Sequence, residues 1–585
     1  MLKSPQFNCC NNIRYFVLIL LISCSSILFA NIILYSIAVI YDDYQDTQLW
    51  KQTHLIQLPS AEQRRFLRSI ADDDGSDISD RKTKNVTFTA GNLILDENEN
   101  NERTKTSSTG MEVPILSKQK DSEQQTYKNG LQPDKDRQWG DKLKNSGEKP
   151  EQQIQIENVA HGTLRGRVQH FLVWTAPGIG MFCGSFATSW FLQTFGSRRF
   201  FAIMMMVSAA ATALLAITPQ IKYGRYLTAC MRFMQGLAFA SVFPMIGSVT
   251  ANWGTLKQQF LFLICCTSFI QLAPLISWPI SSYVFTDDYR TAFLVHAAVT
   301  CILALAWLIV FREKPQYHFS VNGLELNKIV AGKIKAEHNR MLAENPCPLL
   351  IASFPVWAIW IAACGYFLVI SIVVQFLPFY CLLIVRETRA DSALLATVPF
   401  LFMFIMTQFH CLWYRLAKLY NERTSILAFN TTSFIICSLI FIFLAIFPAG
   451  RIFHHSIVAV FTLILCILTF SVYGFYRSAV LVGRFFGQFI VSYIRFFIGF
   501  AFFFATAAVV FFVKENKADE WRVVFLMLAA LLLISAAVFG IFGSAVPEEW
   551  SKDSWDPSAA RPMITFDQID YHTDECGVLE MRILR

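Results

Sequence analysis

Two arginines inside apolar stretches are the residues of this chain best suited to chemistry. Arg232 and Arg495 each lie well inside a long run of hydrophobic residues. A charge at the centre of a bilayer costs about 2.5–3.5 kcal/mol on insertion scales, so an ionisable residue there indicates a functional site. The planar fork of a guanidinium can hold a carboxylate or a phosphate through two parallel hydrogen bonds. The sequence therefore predicts that Arg232 binds an anion, with Arg495 as a second candidate contact.

Structural alternatives exist for these arginines and for the other polar candidates. Arg232 can instead donate to neighbouring backbone carbonyls, and either guanidinium can extend to the lipid headgroups. Gln235 and Gln375 are candidates for substrate binding, but glutamines in helix bundles also hydrogen-bond across helices. Proton coupling needs a group that titrates inside the membrane, and the apolar runs hold almost no Asp or Glu. His410 is the candidate for such a titrating group, and packing is its alternative role.

Transmembrane helices must position these residues. Twelve apolar runs of about 17 to 29 residues are each long enough to cross a bilayer, so we predict an all-α membrane protein with twelve transmembrane helices. Lys and Arg in the short loops favour cytoplasmic termini. The predicted parts are a cytoplasmic N-terminus (1–14), transmembrane helix 1 (15–40), a disordered extracytoplasmic loop (41–167), helices 2–6 (168–311), a cytoplasmic linker with a short helix (312–355), helices 7–12 (356–542) and an acidic cytoplasmic tail (543–585).

Composition excludes several classes of protein. Of the 585 residues, 54% are hydrophobic and only 16% are charged, which excludes a soluble or a disordered protein. The net charge is +7, and the Lys and Arg residues are scattered between apolar runs without forming a basic face. We therefore expect no nucleic-acid binding. Catalytic motifs and the cysteine spacings of metal sites are absent. We therefore expect no enzyme, no cofactor and no metal site.

Two local motifs refine this organisation. The segment Asn322-Gly-Leu-Glu325 matches a capping box, in which both side chains satisfy N–H groups at a helix start. It predicts a short helix from Gly323 to about His338. The long first loop is polar and almost free of aromatic residues, so it cannot bury enough surface to offset its ordering entropy. On the extracytoplasmic side, Asn85 begins an Asn-Val-Thr glycosylation sequon.

The layout of six plus six helices around a basic linker resembles the major facilitator superfamily. More specific motifs resemble its anion/cation symporter branch, which contains the sodium/phosphate cotransporters, sialin and the vesicular glutamate transporters. These motifs are Arg232-Phe-Met-Gln235-Gly236, Phe243-Pro244 and Trp253 in the fourth helix, Pro315, His318, Val321 and Glu325 after the sixth, and Ser353-Phe-Pro355-Val-Trp357 in the seventh. The resemblance implies the major facilitator fold, with two six-helix halves that rock around a site at mid-membrane.

Several charged positions of that branch are uncharged in this chain. The resemblance implies an arginine in the first helix, a glutamate seven residues after Arg232, an arginine in the seventh helix and a histidine in the eighth. This sequence holds Ile32, Phe239, Tyr366 and Phe400 there, so only Arg232 keeps its charge. Tyr366 occupies the place of a substrate-binding arginine and therefore joins the candidate site.

Two functions are compatible with these observations. The first is a secondary active or facilitative transporter that moves a small organic or inorganic anion by alternating access, with H⁺ or Na⁺ as a coupling ion. The second is a transporter-like protein that carries a neutral solute or acts as a non-transporting receptor or scaffold, which the lost charges favour. Either protein is a multi-pass component of the plasma membrane or of a lysosomal or vesicular membrane.

Overall fold

Membrane-spanning helices make up most of the described structure. The computed structural model describes residues 12–57, 164–218, 223–284, 289–331, 347–385, 388–409, 421–447, 456–513, 518–554, 569–573 and 579–583. Within these residues, twelve helical segments are long and apolar enough to cross a membrane, which confirms the predicted all-α membrane class. Asn85, His410 and most of the first loop lie outside the described residues. Glycosylation, proton coupling and loop disorder therefore stay predictions.

We number the segments span 1 to span 12 in chain order. Spans 1 to 6 are the helices Ile13–Gln57, Leu164–Phe195, Ser197–Leu215, Gly224–Phe239 continued by Val242–Trp253, Gln259–Thr267 continued by Phe269–Val284, and Tyr289–Val310. Spans 7 to 12 are Phe354–Leu383, Arg389–Gln408, Glu422–Ile446, Ser456–Gly483, Gly487–Phe512 and Ala518–Phe542. The linker holds the short helices Gly323–Val330 and Cys347–Ala352, and the tail holds the antiparallel strands β1 (Ile569–Thr573) and β2 (Leu579–Ile583). Single 3-10 turns occur at Leu256–Gln258, Pro315–Tyr317, Arg484–Phe486 and Glu549–Ser554.

Two helix ends differ from the sequence-based expectation. The membrane-spanning part of span 1 is Ile13–Ala38, but its helix continues to Gln57, into the segment from residue 41 that the sequence predicts to be a loop. No glycine or proline interrupts the chain before Pro59, so nothing in the local sequence stops helical hydrogen bonding. The linker helix ends at Val330, ahead of the predicted end near His338, and the rest of that predicted helix lies outside the described residues.

Spans 2 and 11 join the two halves through glycine contacts. A Cβ atom on Gly178 would lie 2.5 Å from the backbone nitrogen of Phe503. On Gly499 it would lie 2.6 Å from the backbone nitrogen of Phe182. Real side chains do not approach so closely, so only glycine lets these two backbones pack directly, as small residues do in membrane helix pairs. The two halves are therefore in direct contact along spans 2 and 11.

The start of the linker forms a joint with the end of span 4. The indole Nε1 of Trp253 donates to the backbone carbonyl of Arg312 at 3.2 Å, and its ring meets the His318 ring edge to face at 5.6 Å. His318 Nδ1 accepts a hydrogen bond from the backbone N–H of Ser320 at 3.2 Å. Burial, and then the positive charge of Arg312, lower the pKa of His318 below its ordinary value. The ring is therefore held neutral, as this accepted bond requires.

Glu325 caps a different helix from the one that the sequence predicts. Asn322 begins the linker helix without a capping hydrogen bond from its side chain. The Glu325 carboxylate is 1% exposed and accepts hydrogen bonds from the backbone N–H groups of Arg14 at 3.0 Å and Ile13 at 3.4 Å. Those groups open span 1, where the helix dipole favours a negative charge. The predicted capping box is wrong, because the start of span 1 offers the carboxylate two backbone N–H donors, one buried and one partly buried.

Replacement of Glu325 should weaken the joint between the linker and span 1. We expect Glu325→Ala to lower the free energy of unfolding by about 1–3 kcal/mol, because a buried and a partly buried N–H group lose their acceptor. Glu325→Gln keeps an acceptor and should cost about 1 kcal/mol or less. Lys328→Ala, at an exposed position of the same short helix, is the control. Thermal unfolding of the detergent-solubilised protein measures the effect, and equal midpoints for the two alanine variants would contradict the capping role.

Candidate functional site

The guanidinium of Arg232 is enclosed by spans 1 and 2. Its side chain is 1% exposed. Nε donates to the backbone carbonyl of Val173 at 3.0 Å, and Nη1 donates to that of Ile32 at 3.1 Å. The rings of Tyr35 and Trp174 lie 4.2 and 5.9 Å from the guanidinium carbon, which places the cation against their faces. The charge is therefore held by neutral groups from two neighbouring helices.

A counterion for Arg232 is missing from the described part of the chain. The ion pairs found there, such as Arg477 with Glu422, do not include it. Buried charges in proteins are usually paired, because removal from water costs several kcal/mol. Two carbonyls and two ring faces offset part of this cost without neutralising the charge. The positive charge of Arg232 therefore has no neutralising partner among the described residues.

Gln235, one turn further along span 4, belongs to a polar network inside the first half. Its Nε2 donates to the backbone carbonyl of Asn31 at 3.1 Å and to the Thr212 hydroxyl at 2.8 Å. The Nδ2 of Asn31 donates to the hydroxyls of Ser208 and Thr300, both at 3.0 Å. Thr212 and Thr300 each donate to a carbonyl of their own helix at 2.7 Å. These hydroxyls must therefore accept from the amides, which fixes the orientation of both amide groups.

Two acceptors in this network have no donor. The side-chain oxygens of Asn31 and Gln235 are buried and accept no hydrogen bond from any described residue. A buried acceptor without a partner costs about 1–3 kcal/mol, so such atoms in proteins are usually met by an ordered water or a ligand. The first half thus contains two buried oxygens that lack a donor. They belong to Asn31, which precedes Ile32 in span 1, and to Gln235, one turn after Arg232 in span 4.

The structure does not bring Gln375 and Tyr366 together with Arg232. Gln375 in span 7 donates to the Thr506 hydroxyl of span 11 at 2.9 Å, and its oxygen lies 3.2 Å from the same hydroxyl. Tyr366 is 1% exposed and its ring packs against those of Phe367 and Phe475. All of these contacts lie within the second half. Both residues therefore act as packing and cross-helix partners in the described conformation.

Arg495 connects the two halves instead of joining Arg232. The side chain is 3% exposed. From span 11, its Nε donates to the Ser185 carbonyl of span 2 at 3.1 Å, and Nη2 donates to the Ser189 hydroxyl at 2.6 Å. Nη1 donates within span 11 to the Ser492 carbonyl at 3.0 Å. The side chain is thus a tether across the interface of the halves.

Six buried phenylalanines fill the space between the halves, and we call them the phenylalanine cluster. Its members are Phe29 of span 1, Phe239 and Phe243 of span 4, Phe269 of span 5, Phe367 of span 7 and Phe502 of span 11. Neighbouring rings lie 5.5 to 6.1 Å apart, mostly edge to face. Phe239 stands where the family resemblance implies a glutamate. Sequence reasoning missed this cluster, although the 54 phenylalanines are a compositional signal for it.

A family model and several known proteins are similar to this chain. The family model described as Major Facilitator Superfamily matches residues 171–487. Sodium-dependent phosphate transport protein 3 of Mus musculus is 20% identical over 399 residues, which cover 65% of this chain and 80% of that protein. Sodium-dependent phosphate transport protein 4 of Homo sapiens is 22% identical over 302 residues, covering 50% and 67%. The xylose transporter XylE from E. coli, in a partially occluded inward open conformation, aligns with a TM-score of 0.47 and 11% identity over 66% of this chain and 89% of that structure.

The sequence resemblance to the symporter branch is therefore confirmed at the level of distant homology to sodium-dependent phosphate transport proteins. The matched region covers more than half of the 585 residues and includes Arg232. With its twelve membrane spans, this chain belongs to the Major Facilitator Superfamily.

Proposed function

We propose that this protein moves a small oxyanion across a membrane by alternating access, with Arg232 as the anchor of the substrate. The observation that carries the proposal is a buried guanidinium with no carboxylate partner among the described residues. An anion would supply the missing negative charge and offset the cost of burying the cation. The phosphate transport proteins related to this chain support an anionic substrate.

The contacts of Arg232 suggest how it would exchange partners. A guanidinium carries five N–H donors, and the carbonyls of Val173 and Ile32 use two of them. Bidentate binding of an oxyanion needs two donors that point in parallel, so substrate would take the free donors and loosen the carbonyl bonds. In the described conformation both halves meet at the phenylalanine cluster. Entry of substrate would therefore require the halves to separate on one side, as in alternating access.

Removal of the Arg232 charge should abolish anion uptake. We expect Arg232→Ala to reduce phosphate uptake by about 10-fold or more, since charge-assisted hydrogen bonds are worth about 1.5–3 kcal/mol. Arg232→Lys should keep part of the activity, because it retains the charge without the fork. Arg225→Ala, at an exposed position of the same helix, is the matched control. The measurement is uptake of labelled phosphate, glutamate and sialic acid into reconstituted vesicles, and wild-type uptake that survives Arg232→Ala unchanged would refute the proposal.

The unsatisfied oxygens of Asn31 and Gln235 favour an anion that also carries a hydrogen-bond donor. Phosphate keeps a proton at neutral pH, whereas sulfate has the same shape and keeps none. A site with buried acceptors discriminates against an analogue that lacks the matching donor, because its acceptors then stay unpaired. We therefore propose that the substrate is a protonated or hydroxyl-bearing oxyanion.

Competition between phosphate and sulfate tests this selectivity. We expect wild-type protein to prefer phosphate by about 10-fold or more in uptake, in line with one unpaired buried acceptor at about 1–3 kcal/mol. Gln235→Met removes one acceptor and should lower this ratio. Gln375→Met is the control, because the Gln375 oxygen already lies against Thr506. An unchanged ratio in Gln235→Met would show that the oxygen does not contact substrate, while anion transport through Arg232 would still stand.

Coupling to a cation remains part of the proposal. The related proteins are named as sodium-dependent, and His410 is our candidate for proton coupling. If protons drive transport, His410→Asn should remove the stimulation of uptake by an imposed proton gradient and leave uptake without a gradient unchanged. Wild-type protein with the gradient collapsed by a protonophore is the reference. Stimulation of the wild type by sodium alone would exclude the role of His410.

We propose that the protein lies in the plasma membrane or in a lysosomal or vesicular membrane.

A second candidate function is favoured by the phenylalanine cluster. Six apolar rings occupy the space between the halves, and Phe239 and Phe400 stand at positions where the resemblance implies ionisable residues. Such a centre suits a neutral solute, or a receptor or scaffold that does not transport. Failure of every tested anion to enter the vesicles, with uptake of a neutral solute or of none, would support this alternative.

A further inference from the structure

A cluster of basic residues lies where span 3 begins and span 6 ends, and we call it the basic patch. Its members are Arg198 and Arg199 in the first turn of span 3 and Arg312 and Lys314 just after span 6. Arg199 and Lys314 are exposed, and the other two are partly buried. Arg198 is close enough to both other arginines for their positive charges to act on it. The two helix ends therefore share one concentration of positive charge.

Hydrogen bonds of two of these guanidiniums fix the patch to the end of span 6. Arg198 donates to the Leu308 carbonyl through Nε at 2.9 Å and also through Nη2. Arg312 Nη1 donates to the carbonyls of Ile309 at 3.2 Å and Phe311 at 3.0 Å. Carbonyls at the end of a helix lack internal donors, and the helix dipole there favours a cation. The bonds therefore hold the two guanidiniums beside each other without neutralising either charge.

Positive charge in this region exceeds negative charge. Of residues 196–199 and 308–314, only Glu313 is acidic, and its Oε1 accepts a hydrogen bond from the Ser197 hydroxyl at 3.0 Å. The ion pairs found among the described residues include none of the three arginines of the patch. Span 3 also begins after Gly196 without a side-chain cap or an acidic residue in its first turn, so its dipole adds positive potential. The patch therefore favours an anionic partner from outside the chain.

Exposed apolar side chains continue from the patch along both helices. In span 3, Ile203 and Met206 are exposed and follow Arg199 by one and two turns on the same face. In span 6, Leu305 and Ile309 are exposed in the last two turns. Exposed apolar side chains on a membrane span contact the acyl chains of lipids. The patch therefore lies at the level of the headgroups, next to a surface that acyl chains cover.

We propose that the basic patch binds the headgroup of an anionic phospholipid, whose acyl chains pack against the exposed faces of spans 3 and 6. Charge distinguishes this occupant from a zwitterionic lipid, which brings no net charge. The acyl chains distinguish it from free phosphate, which gains nothing from the apolar faces. The predicted orientation puts the patch at the cytoplasmic leaflet, where anionic lipids are concentrated and each nearby basic residue adds to binding. The proposal does not depend on transport through Arg232.

Lipid retention by the purified protein tests the patch without a transport measurement. The wild type and its variants are placed in nanodiscs of phosphatidylcholine with a minor share of phosphatidylserine, and native mass spectrometry measures the lipid that the released protein retains. We expect the wild type to retain phosphatidylserine in preference to phosphatidylcholine. This preference should fall about 5-fold with Arg199→Gln, and further when Arg312→Gln is added, because each arginine near the surface contributes separately.

The matched control is Arg423→Gln. Arg423 is an exposed arginine in the first turn of span 9, which begins on the same side of the membrane as span 3, but it lies beside Glu422. We expect this variant to retain phosphatidylserine as the wild type does. Arg199→Gln changes only an exposed side chain, so it keeps the test valid where loss of the Arg312 contacts with span 6 destabilises the double variant.

Several results would overturn the proposal. One is a wild type without preference for phosphatidylserine, and another is an unchanged preference in Arg199→Gln when its thermal unfolding matches the wild type. An equal loss in Arg423→Gln would show a general effect of surface charge instead of a site. Displacement of the retained lipid by inorganic phosphate would assign the patch to a free anion. Each of these results would leave the role of Arg232 in uptake untouched.

Discussion

The charge of Arg232, which has no carboxylate partner among the described residues, constrains the interior of the first half. A guanidinium inside a helix bundle must have its lost hydration replaced, and here two backbone carbonyls and the faces of Tyr35 and Trp174 replace it. These groups come from spans 1 and 2, so the charge holds three helices together. An incoming anion would compete for the same N–H donors. Under the proposed function, substrate binding and loosening of this helix contact would be one event, which is a direct way to couple occupancy to movement.

The contacts between the halves oppose that movement. At the centre, edge-to-face ring pairs of the phenylalanine cluster are each worth about 0.5–1.5 kcal/mol beyond their buried area. Nearer the start of span 11, Arg495 donates to Ser185 and Ser189 of span 2. Gly178 lies against the backbone of Phe503, next to Phe502 of the cluster, and Gly499 lies against the backbone of Phe182. Separation of the halves along spans 2 and 11 would therefore break polar, aromatic and backbone contacts together.

Hydropathy predicts the spans well, because the bilayer imposes the same requirement on every one of them. Hydropathy does not predict which hydrogen-bond partners the buried polar groups find within the bundle. Gln235 and Gln375 are the same residue type beside similar motifs, yet one leaves its oxygen without a donor and the other lies against Thr506. Glu325 meets the capping pattern of its own helix, but the carboxylate binds N–H groups about 310 residues earlier. Local sequence can therefore identify a buried polar group, and only the packing of distant helices decides what it bonds.

The residues that carry the family resemblance differ from the positions where that resemblance implies charged groups for substrate binding. Trp253, His318 and Glu325 carry the resemblance, and all three hold the linker against spans 1 and 4. Four positions where the resemblance implies an ionisable residue hold uncharged ones instead, namely Ile32, Phe239, Tyr366 and Phe400, and Phe400 packs edge to face on Trp278. The matching motifs thus lie at contacts that hold the linker to the spans. A family match therefore supports the architecture more strongly than the substrate. The groups that bear on the substrate are the buried polar groups without a partner among the described residues, because only a ligand or a water can account for them.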